Sequence, residues 1–144
     1  MGVAHISELK KLSASMQDYL EAILELEESG EAVRVTDIAN KLQIAKASVN
    51  QTLSKFKKQG LVRQEMYGPV ELTNEGRHMA EKVRQIHRQI KRFLIEVLQV
   101  DPDIAEEDAC RMEHAVSAHT MERLTEFLSR YGYSQNHNEP AAED

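Results

Sequence analysis

Two helical periodicities separated by only three residues limit the folds open to this chain more than any other feature. Val35-Thr-Asp-Ile-Ala-Asn-Lys-Leu42 places Ile38, Ala39 and Leu42 on one side of a short helix, with Thr36 as its expected N-cap. After Gln43, Ile44 and Ala45, a second helix of about Lys46 to Gln59 buries Val49, Thr52, Leu53 and Phe56. It stops at Gly60, a residue suited to the left-handed position that ends a helix. So short a connection makes a helix-turn-helix. Leu61 to Met66 and Pro69 to Leu72 read as strands around Tyr67-Gly68, a hairpin that turns the motif into a winged helix.

Charge is distributed in support of this reading. From Ile38 to Gln64 there is no acidic residue, and Lys41, Lys46, Lys55, Lys57, Lys58 and Arg63 give the window +6. The whole chain carries −6, which leaves −12 for the rest. A basic island in an acidic chain marks a local polyanion site and argues against a nonspecific nucleic-acid coat. The polar side of the second helix shows Lys46, Ala47, Ser48, Asn50, Gln51, Ser54, Lys55, Lys57 and Lys58. Small Ala47 and Ser48 permit close approach to the major groove, and Asn50 and Gln51 suit adenine edges. Ser48 and Ser54 can reach bases or phosphates, whereas the lysines suit phosphates and set affinity. Thr36, at the start of the first helix, completes the candidate DNA-contacting set.

Around this core the remaining segments are helical. Met16, Tyr19, Leu20, Ile23 and Leu24 predict a helix from about Ser15 to Glu28, ended near Gly30. Thr73 is placed to cap a long helix, about Asn74 to Leu98, with an inner stripe of Met79, Val83, Ile86, Ile90, Phe93, Leu94 and Val97. At 1.5 Å per residue it spans roughly 37 Å, more than a small lobe needs, so it is expected to bridge into a second lobe. Asp101-Pro102 breaks the pattern, a helix follows from about Asp103 to Val116, and Ser117 is placed to cap a last helix carrying Met121, Leu124, Phe127 and Leu128. After Tyr133 the chain lacks core residues and reads as a loose tail. The expected architecture is mainly α, with a DNA-binding winged helix over residues 1–73, a helical dimerisation and metal-binding domain over 74–133, and a tail over 134–144.

No apolar run approaches the length of a membrane span, and Glu96 interrupts the strongest candidate. There is no apolar signal region at the N-terminus, and Ile6 spoils the acylation pattern that Gly2 suggests. The expected location is the cytoplasm. A single cysteine, Cys110, excludes an intrachain disulfide and leaves a thiol, an intermolecular link or a ligand.

Cys110, Glu113 and His114 stand at i, i+3 and i+4, where thiolate, carboxylate and imidazole can converge from one helical face. His87 borders the apolar stripe of the long helix, and Asp18 and Glu21 lie three apart on the first helix. Singly, each has an ordinary structural explanation: a small buried thiol, surface charges, packed histidines. Convergence of all six from three helices gives a metal centre that ties the DNA-binding lobe to the second lobe.

Four stretches resemble the DtxR/MntR family of metal-dependent transcriptional repressors: Met-Gln-Asp-Tyr-Leu-Glu-Ala-Ile at 16–23, Val-Thr-Asp-Ile-Ala at 35–39, Ala-Ser-Val-Asn-Gln-Thr at 47–52, and Asp-Ala-Cys-Arg-Met-Glu-His at 108–114. The resemblance covers about Ser15 to Leu128. It implies a homodimeric repressor that binds double-stranded, palindromic operator DNA when loaded with divalent metal, and controls metal-uptake genes. It also implies the shorter, two-domain MntR-like layout, and assigns ligand roles to Asp18, Glu21, His87, Cys110, Glu113 and His114. Asp18 and Glu21 match the manganese-type branch and Cys110 the iron-type branch. Lys91 stands where the iron-type branch has an acidic ancillary ligand. A terminal thiolate favours softer or more strongly binding ions than a bridging carboxylate does. Fe²⁺ and Mn²⁺ are the expected effectors, Fe²⁺ slightly ahead, with Zn²⁺, Co²⁺ and Ni²⁺ able to bind in vitro.

Two other readings are open to the residues. A winged-helix regulator with a non-metal effector predicts operator affinity independent of metal. A hydrolytic metal centre with Glu113 as base needs a substrate pocket and an open coordination position, and no Gly-rich loop or nucleophile motif supports one, so the chain is not expected to be an enzyme.

Overall fold

A computed structural model describes residues 12–130, and local hydrogen bonds close several of its turns. Helix α1 (Ala14–Glu28) starts where the Ser13 hydroxyl accepts the Met16 N–H at 3.1 Å. It ends at Ser29, and Gly30 follows at φ +92°. Helix α2 (Val35–Leu42) is capped differently from the expectation that Thr36 is its N-cap. Arg34 is the capping residue, and the Asp37 carboxylate reaches back to its N–H at 2.9 Å, leaving Thr36 exposed within the first turn. A carboxylate at the third helical position is the stronger partner for that unsatisfied N–H.

Gln43 turns the chain at φ 55°, and α3 (Lys46–Lys58) follows. Val49, Leu53 and Phe56 are fully buried and Thr52 half-buried, as the periodicity requires. Gly60 takes φ +75° after the Gln59 cap. Strands β1 (Val62–Gln64) and β2 (Val70–Leu72) pair antiparallel, with Val62 opposite Leu72 and Gln64 opposite Val70. They are shorter than expected, because the turn already begins at Glu65, whose carbonyl accepts the Gly68 N–H at 2.8 Å. Val33 adds a single bridge to Val70.

Helix α4 (Asn74–Arg92) begins with Thr73, whose hydroxyl accepts the Gly76 N–H and donates to the Gly60 carbonyl. A Cβ at Gly76 would lie 2.0 Å from the Leu61 carbonyl oxygen, so only glycine lets the helix sit against the start of the wing. The expected long helix continues past Arg92, but Phe93–Val97 is wound as a π-helix, and Leu98 N–H bonds to the Phe93 carbonyl.

Two compact units divide within α4, between Gln85 and Ile86. In the first, Tyr19, Leu20, Ile23, Ile38, Val49, Leu53, Phe56, Leu61, Val70 and Ala80 belong to one apolar cluster. Tyr19 meets Phe56 edge to face at 6.3 Å. Glu27, at the end of α1, accepts the Leu72 N–H at 2.8 Å and the Arg77 guanidinium at 2.7 Å. One carboxylate thus joins the first helix, the wing and α4.

The second unit holds the end of α4, the π segment, α5 (Pro102–Met112) and α6 (Ala118–Arg130). Ile90, Ala105, Ala109, Met121 and Leu128 are buried in it, and Phe93 meets Phe127 edge to face at 6.0 Å. Ser117 caps α6 through the Thr120 N–H at 3.1 Å. The helix expected to reach Val116 stops at Met112 and passes into a turn in which the Ala115 and Val116 N–H groups share the Met112 carbonyl. Among the described residues no helix is long and apolar enough to cross a membrane. The segment read as a tail lies outside the described residues.

Candidate functional site

The polar face of α3 is wholly exposed: Lys46, Ala47, Ser48, Asn50, Gln51, Ser54, Lys55, Lys57 and Lys58 all face solvent. The opposite face is anchored in the core by Val49, Leu53 and Phe56. Not every charge of the basic island is available to a ligand. Lys41 is held by Glu25 at 2.8 Å, and Arg63 faces Glu71 at 3.8 Å. A cleft of about 540 Å³ between the motif and the wing is lined by Thr36, Lys46, Asn50 and Lys57, joined by Arg34 and Tyr67. Tyr67, 92% exposed at the wing tip with φ 59°, was not among the sequence candidates. An aromatic residue at a hairpin turn was the available signal.

Within the second unit, donor atoms of His87, Cys110 and Glu113 all lie within 4.8 Å of one another. His87 comes from the last turns of α4 and Cys110 from the last turn of α5. Glu113 is the α5 C-cap and keeps helical geometry, its N–H bonded to the Ala109 carbonyl, so it stays on the face of Cys110, while His114 lies in the turn beyond. Glu113 is buried, at 3% exposure, while Cys110 stays at the surface.

Glu113 Oε2 lies 3.4 Å from His87 Nδ1, and Oε1 lies 3.4 Å from His114 Nε2. Both carboxylate oxygens are buried without a hydrogen bond among the described residues. A buried carboxylate left so is costly unless a cation joins it. Imidazole, thiolate and carboxylate are a donor set suited to a first-row divalent ion, so the residues present fit a metal. Asp18 and Glu21 lie on α1 in the first unit, Asp18 exposed and Glu21 half-buried.

One acidic residue beside the cluster was missed. Glu106 accepts His87 Nε2 at 2.8 Å and the Lys91 ammonium at 2.8 Å, and Cys110 Sγ lies 3.9 Å from it. The Lys91 hydrogen bond above all holds its carboxyl below the usual carboxylate range; burial opposes this and His87 adds to it. Its place one turn before Cys110 was the sequence signal.

Comparison with known proteins agrees with this geometry. Residues 11–70 match the family described as iron dependent repressor, N-terminal DNA binding domain, and residues 73–140 match iron dependent repressor, metal binding and dimerisation domain. An uncharacterized HTH-type transcriptional regulator of Methanocaldococcus jannaschii is 36% identical over 121 residues, covering 83% of this chain and 97% of that protein. The transcriptional regulator MntR of Escherichia coli is 36% identical over 118 residues, covering 81% of this chain and 75% of that protein. A solved manganese-dependent transcriptional repressor in complex with manganese superposes with a TM-score of 0.73 at 30% identity, covering 83% of this chain and 54% of that one. The chain spans about half the length of the diphtheria toxin repressors of Corynebacterium that it also matches, 53% and 52%. On these matches, over a winged helix followed by a unit that gathers imidazole, thiolate and carboxylate, the chain belongs to the iron-dependent repressor family of metal-dependent transcriptional repressors.

Proposed function

We propose that this protein is a homodimeric repressor of metal-uptake genes, acting in the cytoplasm, that binds a palindromic operator when loaded with Fe²⁺ or Mn²⁺. The observation that carries the metal reading is the buried Glu113 carboxylate, set between two imidazoles and beside the only thiol. His87, Cys110, Glu113 and His114 would hold the ion. Asp18 and Glu21 are proposed as further ligands on the family resemblance alone. When bound, such an ion supplies the positive charge that Glu113 lacks. Coupling to DNA needs only that the DNA-competent form hold the ion more tightly than other forms do.

In this reading Lys46, Lys55, Lys57 and Lys58 neutralise phosphates, while Ala47, Ser48, Asn50, Gln51 and Ser54 face the base edges and Thr36 meets the backbone. Exposed Leu98, Ile104 and Phe127 offer apolar surface for a second copy. Half-sites then stand about one helical turn, roughly 34 Å, or a multiple of it apart. The test is binding of anaerobic, metal-free protein to its own upstream DNA, titrated with buffered Fe²⁺, Mn²⁺ and Zn²⁺. Strong stimulation by Fe²⁺ or Mn²⁺ is expected. Tight binding that ignores all three ions would refute the reading and point to another effector.

A further inference from the structure

His87 and Lys91 stand one turn apart on α4 and reach the same carboxylate on α5. Lys91 Nζ donates to Glu106 Oε1 at 2.8 Å, and His87 Nε2 lies 2.8 Å from Oε2. Both oxygens of Glu106 are thus engaged, one by an ammonium and one by an imidazole N–H. The opposite nitrogen of the ring, Nδ1, lies 3.4 Å from the buried Glu113 carboxylate.

An ionised carboxylate only accepts, and a neutral imidazole has one N–H to give. Both ring nitrogens face a carboxylate, and the contacts differ in length: 2.8 Å from Nε2 to Glu106 against 3.4 Å from Nδ1 to Glu113, so the shorter, hydrogen-bonding contact directs the single N–H of a neutral ring to Glu106 and leaves Nδ1 toward Glu113. A carboxylate that holds the far N–H of a ligating histidine fixes its tautomer and ring orientation and raises its basicity. Glu106 itself is poorly placed to bind a second ion, because a divalent cation there would have to displace or face the Lys91 ammonium.

We propose that Lys91 and Glu106 are a positioning pair for the metal centre: Glu106 fixes His87 so that Nδ1 is the nitrogen offered to the ion, and the Lys91 ammonium takes the place a second cation would need. This rests on the reading of His87, Cys110 and Glu113 as metal ligands. Glu106 and Lys91 would not touch the ion.

The test uses the full chain, metal-free, with ¹⁵N-labelled histidine, at about pH 8, above the ordinary imidazole range. Long-range ¹H–¹⁵N correlation should show His87 as the Nε2–H tautomer with a slowly exchanging proton. Glu106→Ala should lose that slow exchange and weaken Mn²⁺ binding about 10- to 100-fold. Glu106→Gln, which keeps an acceptor, should restore the tautomer. Lys91→Glu should raise the number of Mn²⁺ ions bound per chain by one, counted by electron paramagnetic resonance. An Nδ1–H tautomer in the wild-type protein, or wild-type Mn²⁺ affinity in Glu106→Ala, would overturn the positioning role. Unchanged stoichiometry in Lys91→Glu would overturn the exclusion of a second ion. Glu113→Ala separates the two levels of the argument. If it loses Mn²⁺ binding while Glu106→Ala does not, only the positioning proposal falls; if it too binds as wild type, the metal centre falls and the proposal with it.

Discussion

Replacing Glu113 by glutamine should change stability in opposite directions with and without metal. In the metal-free protein the carboxylate is 3% exposed, lacks a hydrogen bond among the described residues, and has an imidazole nitrogen 3.4 Å from each oxygen. A buried polar group left unsatisfied costs about 1–3 kcal/mol, and more when charged. Glutamine keeps the shape, removes the charge, and brings an amide N–H that can donate to a neutral imidazole nitrogen. Glu113→Gln should therefore stabilise the chelator-treated protein by about 2 kcal/mol, or about 6 °C in Tm at roughly 3 °C per kcal/mol for a chain of this size. With Mn²⁺ at about 100 times its Kd the wild type gains about 2.7 kcal/mol, or about 8 °C, by linkage. The variant, lacking the anionic ligand, should gain almost none of it. Calorimetry with chelator and with saturating Mn²⁺, above the imidazole range, reads both effects. A variant less stable than wild type in chelator, yet with the full Mn²⁺ increment, would show that Glu113 is a structural acid and not a ligand.

Other perturbations have separate readouts. Glu27→Ala removes the acceptor of both the Leu72 N–H and Arg77, and should lower the stability of the first unit by about 3 kcal/mol, seen as a lower urea midpoint. Phe56→Ala, at 0% exposure, should cost about 3–5 kcal/mol; a loss under 1 kcal/mol would mean that α3 is not anchored through it. Gln51→Ala should lower discrimination between operator and random DNA, whereas Lys57→Ala should weaken both alike and reduce the salt slope by about one. Equal losses on both DNAs for Gln51→Ala would remove it from base reading. The lowered carboxyl of Glu106 contributes stability above the ordinary carboxylate range, and that contribution is lost as pH falls through its own lower value. Urea midpoints of wild type and Glu106→Gln should therefore differ near neutrality and converge on acidification.

The winged helix was legible because each of its signals is local. Val49, Leu53 and Phe56 recur at helical spacing, Gly60 marks the stop, and Tyr67-Gly68 marks the hairpin. The cap of α2 was misread because Thr36 looks like a cap by type, whereas the Asp37 carboxylate determines which N–H is satisfied. The end of α5 was not legible, since no glycine or proline follows Met112; the turn is closed by two N–H groups sharing one carbonyl. Donor types at 110, 113 and 114 were visible, but the burial that gives Glu113 its chemistry depends on packing against His87 of another helix. Glu106 escaped notice for a related reason. Its partners His87 and Lys91 come from another helix, and a lone glutamate on a half-exposed face looks like ordinary surface charge.

The Glu27 carboxylate is answered by residues 45 and 50 positions further along the chain. Both helices of the motif have been synthesised by Lys58, but the groups that tie α1 to the wing and to α4 through Glu27 arrive only with Leu72 and Arg77, and Ala80 still belongs to the apolar cluster that buries Val49, Leu53 and Phe56. A nascent chain therefore carries α3 for some twenty residues before the unit around it can close. A fragment of the first unit has to reach Ala80 to keep this cluster whole, and one cut at the end of the wing would keep the exposed face of α3 while losing Arg77, the partner of Glu27 on α1.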